Sequence, residues 1–279
     1  MIVAVLAGGG AKAAAHIGAM RALQEARRAP DYFIGTSMGS VLAACFAAGL
    51  TPDETATRLQ GVRRRDVARL RHLLALRGLT VRSMFDLDPL RETFERILPV
   101  RRFSDLRFPL TVTAVDLDRG DLLLFGAGGE DAPLLDVVLA SCALPVFYPP
   151  VLIAGRRCAD GGLRAVLGLE PASRLPADLV VAVDTGPGFD EPPAAPLGGP
   201  ALIRAHNDAT GILMAANTAL QVEAWRRTTG RPPLVYVRPQ VERHVTFRLD
   251  LAPRFAEEGY RATRDALARA GVVDQGRSG

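Results

Sequence analysis

Ser37 stands between Gly35 and Gly39 in "YFIGTSMGSVLAACFAAG" (residues 32–49), where an apolar run gives way to an alanine-rich helical stretch. A serine at such a junction can cap the helix, its oxygen accepting from an open amide of the first turn. Capping leaves the two glycines unexplained. A strand–turn–helix elbow of the form G-x-S-x-G accounts for all three residues. Its glycines remove side chains that would open the turn, and its serine hydroxyl is exposed at the sheet end beside a helix N-terminus. "GTSMG" (35–39) fits that form. A nucleophile also needs an oxyanion site and a base; on the pentapeptide alone, cap and nucleophile both stand.

The second cluster is "LAGGGAKAAAHIG" (6–18). Gly8, Gly10 and Ala13 satisfy the dinucleotide fingerprint G-x-G-x-x-G/A between a strand and a helix. That fingerprint wants an acid at the end of the second strand to hold a ribose. Here the second strand ends in Gly35, and the nearest acid, Asp31, precedes it. An oxyanion site explains the same glycines better. Acyl transfer places negative charge on the carbonyl oxygen, and backbone amides at a helix start stabilise it. Three glycines let that backbone approach a substrate closely. The ends of the first two strands are neighbours in a parallel sheet, so loop and serine would share one crevice.

Asp160, followed by Gly161 and Gly162 in "RRCADGGLRA", is the acid that stands out near a glycine turn. It reads either as a base or as an ordinary Asp-Gly turn, and its own segment leaves both open. A Ser–acid–His triad is the competing arrangement. Ser37, Asp160 or Asp184, and His206 or His244 satisfy its order. The nucleophile would then fall on the second strand, too early for the usual build of that fold. His206 and His244 have no motif around them, and His16 and His72 read as structural residues of helices.

The elements that must position these residues alternate along the chain. "IVAVL", "YFIG" and "DLVVAVDTG" read as buried strands, "FPLTVTAVDLDRGDLLLFG" as two strands joined at Asp118-Arg119-Gly120, and "PLVYVRP" as a further strand. Helices are expected over "AKAAAHIGAMRALQEARR", after Ser37, in "PLLDVVLASCAL" with Pro133 at its first position, from Ala201 to about Arg227, and from about Pro253. "GPGFDEPPAAPLGGP" is a proline-glycine loop. Such alternation predicts an α/β fold with a mostly parallel sheet covered on both faces.

At 279 residues and 48% hydrophobic, the chain can bury a substantial core as one domain. Its three scattered cysteines, Cys45, Cys142 and Cys158, suit a reducing compartment. The N-terminus enters an apolar run with no basic residue before it, so no signal peptide is expected, and no apolar run is long enough to span a bilayer. A cytoplasmic protein is expected. Of its 34 cations 33 are arginine, a bias of composition that does not argue for nucleic acid; Lys12 is the only lysine. In "GVRRRDVARLRHLLALRG" (61–78) arginines alternate with apolar residues, which predicts an amphipathic helix. It is either a solvated face or, through Arg63, Arg64, Arg65, Arg69 and Arg71, a peripheral contact with anionic lipid.

A triple glycine with a cation two residues on, then G-T-S-M-G, then D-G-G, in this order, resembles the patatin-like phospholipase family. "ASCALPVFYPPV" (140–151), "VTAVDLDRGD" and the closing "VRPQV" and "EEGYRATRDAL" are similar to further family segments. The resemblance covers nearly the whole chain. It implies a single domain over 1–279, with the motifs in a core of about 2–170 and 171–279 completing the same three-layer α/β/α sandwich. It further implies hydrolysis of lipid acyl esters by a phospholipase A or lysophospholipase, without metal or cofactor. Carried onto this chain, Ser37 is the nucleophile, Asp160 the general base, and the amides around Gly8, Gly9, Gly10 and Ala11 the oxyanion hole. Lys12, Gly35, Gly39, Gly161 and Gly162 complete the motifs. Ala13 stands where the family carries glycine, and helical backbone accepts its methyl.

Overall fold

The computed structural model describes residues 1–70, 83–188, 201–241 and 247–272. In chain order its first half holds β1 (Ile2–Leu6), α1 (Ala15–Glu25), β2 (Tyr32–Thr36), α2 (Met38–Ala47), α3 (Pro52–Leu59), α4 (Arg64–Val67), α5 (Asp88–Ile97), β3 (Leu110–Asp116) and β4 (Leu122–Gly126). Then follow α6 (Leu134–Cys142), β5 (Val151–Ile153), β6 (Arg156–Asp160), α7 (Gly162–Ala165), α8 (Leu169–Ala172), β7 (Leu179–Val183), α9 (Ala201–Arg227), β8 (Leu234–Val237) and α10 (Ala252–Arg269). The strands form one sheet in the order β5-β6-β3-β2-β1-β7-β8, with β4 also paired to β3. β1, β2, β3, β7 and β8 run parallel, and β4, β5 and β6 make the antiparallel pairs.

The central strands are apolar on both faces because both are covered. Ala4 and Leu6 of β1 join a core with Leu23 of α1, Leu42 of α2, Leu139 of α6 and Leu267 of α10. The alternate residues Val3 and Val5 point the other way, into a second core with Leu167, Leu169 of α8 and Trp225 of α9. The period of two in the strand thus divides one sheet between two helical layers. The expected three-layer, mostly parallel architecture is observed.

Several elements differ from the sequence expectation. The chain after the triple glycine begins as a 3-10 turn over Gly10–Ala14, and the α-helix starts only at Ala15. Pro133 is the N-cap of α6, in an extended conformation, and stands just outside the helix. A continuous helix from 61 is not formed: α4 ends at Val67, Ala68 leaves helical backbone, and Leu70 bridges Phe85 while Arg69 O accepts from the Asp86 amide. The rest of that expected helix, from 71 on, lies outside the described residues, as does most of the proline-glycine loop.

Candidate active site

The elbow shows why its glycines are needed. A Cβ on Gly35 would lie 2.5 Å from Ser40 Cα, and one on Gly39 would lie 2.2 Å from Leu6 O. Helix α2 therefore leaves β2 at a separation that only glycine permits. Ser37 itself has φ 51° and ψ −134°, a costly conformation for a residue with a side chain. Neighbours hold it there. The Ser37 amide donates to Ser141 Oγ at 2.8 Å, and Ser37 O accepts from Ser40 Oγ at 2.6 Å. The Ser37 side chain makes no capping bond. Its Oγ donates to Asp160 Oδ2 at 2.7 Å.

The sheet ladder explains how residues 123 positions apart meet. A strand has two edges, and β4 occupies one edge of β3 along Thr111–Val115. β2 and β6 must share the other: β2 pairs with Leu110–Thr113, and β6, running the opposite way, with Ala114–Asp116. Thr36 is opposite Thr113 and Asp160 is opposite Ala114. The two strands end head to head on consecutive residues of β3, and Ser37 meets Asp160 at the junction.

Asp160 is buried, and both its oxygens are engaged. Oδ2 takes the Ser37 hydroxyl, and Oδ1 accepts from the Gly162 amide at 2.8 Å. Burial is the largest influence on its carboxyl and pushes it up to about 6; the two hydrogen bonds oppose that rise. No imidazole stands between Ser37 and Asp160. His16 is buried behind the glycine loop, its Nε2 2.9 Å from Ala7 O, and desolvation lowers its pKa to about 4. His206 lies in α9, with its Nε2 buried and without a hydrogen-bond partner among the described residues. His72 and His244 lie outside the described residues.

The glycine loop crosses the elbow. A Cβ on Gly8 would be 2.9 Å from Ser37 Cβ. The Gly8 amide, however, donates to Val166 O at 3.2 Å, so it is occupied and is not one of the open donors. The amides of Gly9, Gly10 and Ala11, at the start of the 3-10 turn, have no acceptor among the described residues. Lys12 is buried, with Nζ donating to Gly186 O at 2.8 Å. The acid that a dinucleotide would need is at the wrong end of β2. Asp31 lies before that strand, where its Oδ2 accepts from the Ile2 amide at 2.8 Å.

The arginine cluster is elsewhere. Arg65 and Arg69 line an open groove of about 650 Å³ with Arg96 and Arg101, shared with Asp66 and Glu92. Neither Ser37 nor Asp160 borders it. Arg71 lies outside the described residues. No helix among the described residues is long and apolar enough to cross a membrane, and none of their His, Cys, Asp and Glu side chains form a group suited to a metal ion.

A family model described as patatin-like phospholipase matches residues 4–173. The chain belongs to the patatin-like phospholipase family. An uncharacterized NTE family protein of Mycobacterium tuberculosis is 32% identical over 197 residues, which cover 69% of this chain and 52% of that protein. Human patatin-like phospholipase domain-containing protein 6 is 29% identical over 187 residues, 66% of this chain and 13% of that protein. The chain thus spans about half the length of the mycobacterial relative and a smaller share of the human one. Among solved structures, VipD from Legionella pneumophila superposes with a TM-score of 0.51 at 15% identity, covering 96% of this chain and 66% of that one. This likeness bears on the fold alone.

Ser141 was missed as a site residue by the sequence reading. Nothing in "ASCALPVFYPPV" indicates that Ser141 Oγ receives the Ser37 amide from 104 residues away. Thr185 and Gly186 were missed too, for the same reason: their partners are in the glycine loop.

Proposed function

We propose that this chain is a serine acyl-ester hydrolase acting on lipids, of phospholipase A or lysophospholipase type, working through Ser37 and Asp160. The observation that carries the proposal is the direct 2.7 Å bond from Ser37 Oγ to a buried carboxylate raised to about 6. A carboxylate near its ordinary value is a weak partner for a serine proton at neutral pH; one raised toward neutrality is a stronger base. Ser37 Oγ attacks the ester carbonyl as its proton passes to Asp160 Oδ2. The open amides of Gly9, Gly10 and Ala11 are the donors for the oxyanion that forms, and Gly8 keeps their approach to Ser37 clear. Collapse releases the alcohol with the proton from Asp160 and leaves acyl-Ser37. A water then gives its proton to Asp160 and frees the acid by the reverse sequence.

Family membership supports a lipid as the acyl donor. The arginines at 63, 64, 65, 69 and 71 are the proposed points of contact with an anionic membrane. The test is labelling with a fluorophosphonate probe followed by peptide mapping. Modification at Ser37, lost in Ser37→Ala, is the expected result. A folded protein that hydrolyses phospholipid yet is labelled elsewhere would refute the assignment.

A further inference from the structure

We infer that the turn after β7, Asp184-Thr185-Gly186, together with Arg238 after β8, is a clamp that positions the glycine-loop amides for catalysis. This inference rests on the hydrolase reading above and deepens it. It gives a part in the site to residues beyond the family-matched segment 4–173.

Asp184 repeats the local geometry of Asp160. Asp160 is the last residue of β6 and Asp184 directly follows β7, and each accepts through Oδ1 from the amide two residues on: Gly162 for Asp160, and Gly186 at 2.9 Å for Asp184. Their other oxygens differ. Asp160 Oδ2 faces the nucleophile, whereas Asp184 Oδ2 accepts from Tyr236 Oη at 2.7 Å and lies 3.2 Å from Arg238 Nη1. A buried carboxylate so fully bonded fixes the turn that follows it.

That turn holds the glycine loop from both sides. Before the loop, Thr185 Oγ1 lies 3.3 Å from Ala7 O and 3.2 Å from Gly8 O, sharing one proton between the two carbonyls. Beyond the loop, Gly186 O accepts from Lys12 Nζ at 2.8 Å and from Arg238 Nη1 at 3.1 Å. Between these anchors run Gly9, Gly10 and Ala11, whose amides are open. The Thr185 carbonyl closes the space behind them, since a Cβ on Gly9 would come within 2.3 Å of it. A three-residue span tied at both ends to one rigid turn holds its amides in place before the oxyanion forms. A displacement of about 1 Å in such donors costs on the order of 10²-fold in rate.

The experiment measures kcat, KM and melting temperature on a soluble short-chain ester for Thr185→Val, Thr185→Ser and Tyr236→Phe, beside Ser37→Ala. Valine keeps the volume of threonine and loses both bonds to the loop, so kcat should fall about 10–100-fold with KM little changed. Serine keeps the hydroxyl and should restore most of the rate. Tyr236→Phe removes one bond to Asp184 and should lower kcat severalfold, which keeps the test alive if valine prevents folding. Wild-type kcat in folded Thr185→Val, or in Tyr236→Phe where valine does not fold, overturns the clamp, as does a loss that Thr185→Ser shares in full. Full turnover in Ser37→Ala would instead overturn the hydrolase reading beneath it.

Discussion

Asp160 is placed where its chemistry and its stability conflict. Its carboxyl sits at about 6 against an ordinary value of 3.8, with burial as the main cause. As the proposed base it must be ionised, so kcat/KM on a soluble ester should be level above about pH 6 and fall tenfold per unit below it. A pH–rate profile that stays flat down to pH 4.5 would contradict this. The same shift has a stability consequence. Below pH 4 the group is protonated in both folded and unfolded chains; above about 6 it is ionised in both, and only the folded chain bears the buried charge. Its contribution is therefore favourable at low pH and is lost as pH rises through 6. Asp160→Asn should melt higher than wild type at pH 8, by roughly 1–3 kcal/mol of stability, with the difference shrinking toward pH 4. Thermal melts at the two pH values check it. The residues that close approach constrains were legible in sequence, because glycine at 35 and 39 has few substitutes.

Where strands end decides which side chains meet. β2 and β6 share one edge of β3 and stop on consecutive residues, which brings the serine and the aspartate together without a mobile loop. Helix α6 then braces the elbow through Ser141. Ser141→Ala would leave the Ser37 amide without its acceptor beneath a backbone already at positive φ. Stability should fall by about 1–3 kcal/mol, and turnover about tenfold as the elbow relaxes. Denaturant unfolding and steady-state kinetics measure the two; an unchanged rate would remove Ser141 from the account. The strands β1, β2 and β7 were readable as apolar runs because they are buried on both faces. The β5–β6 hairpin was not. Its strands span three and five residues, and Arg156 and Arg157 interrupt the apolar pattern because this edge is half exposed. Within 61–70 the expected helix is broken after Val67, because the alternation of arginine and apolar residues carries no sign that Leu70 pairs with Phe85; residues 71–78 lie outside the described residues.

Across the whole molecule, both the sheet and the site draw on residues far apart in sequence. The glycine loop, elbow and Asp160 come from the family-matched segment, while β7 and β8 extend the same sheet beyond it. The arginine cluster is a separate surface, so its effect should be separable from chemistry. Reversing Arg63, Arg64, Arg65 and Arg69 to glutamate should weaken binding to anionic vesicles and hydrolysis of aggregated lipid, and leave a soluble ester unaffected. Equal loss on both substrates would mark a fold defect, and no loss on either would return the cluster to a solvated face. The chain's four histidines, spread from 16 to 244, supply the sharpest contrast with the dyad. The decisive measurement is esterase turnover of folded Asp160→Asn beside single glutamine replacements of His16, His72, His206 and His244. The dyad predicts that Asp160→Asn falls to the level of Ser37→Ala while every histidine variant keeps most of its rate. A folded His206 or His244 variant as inactive as Ser37→Ala would contradict it.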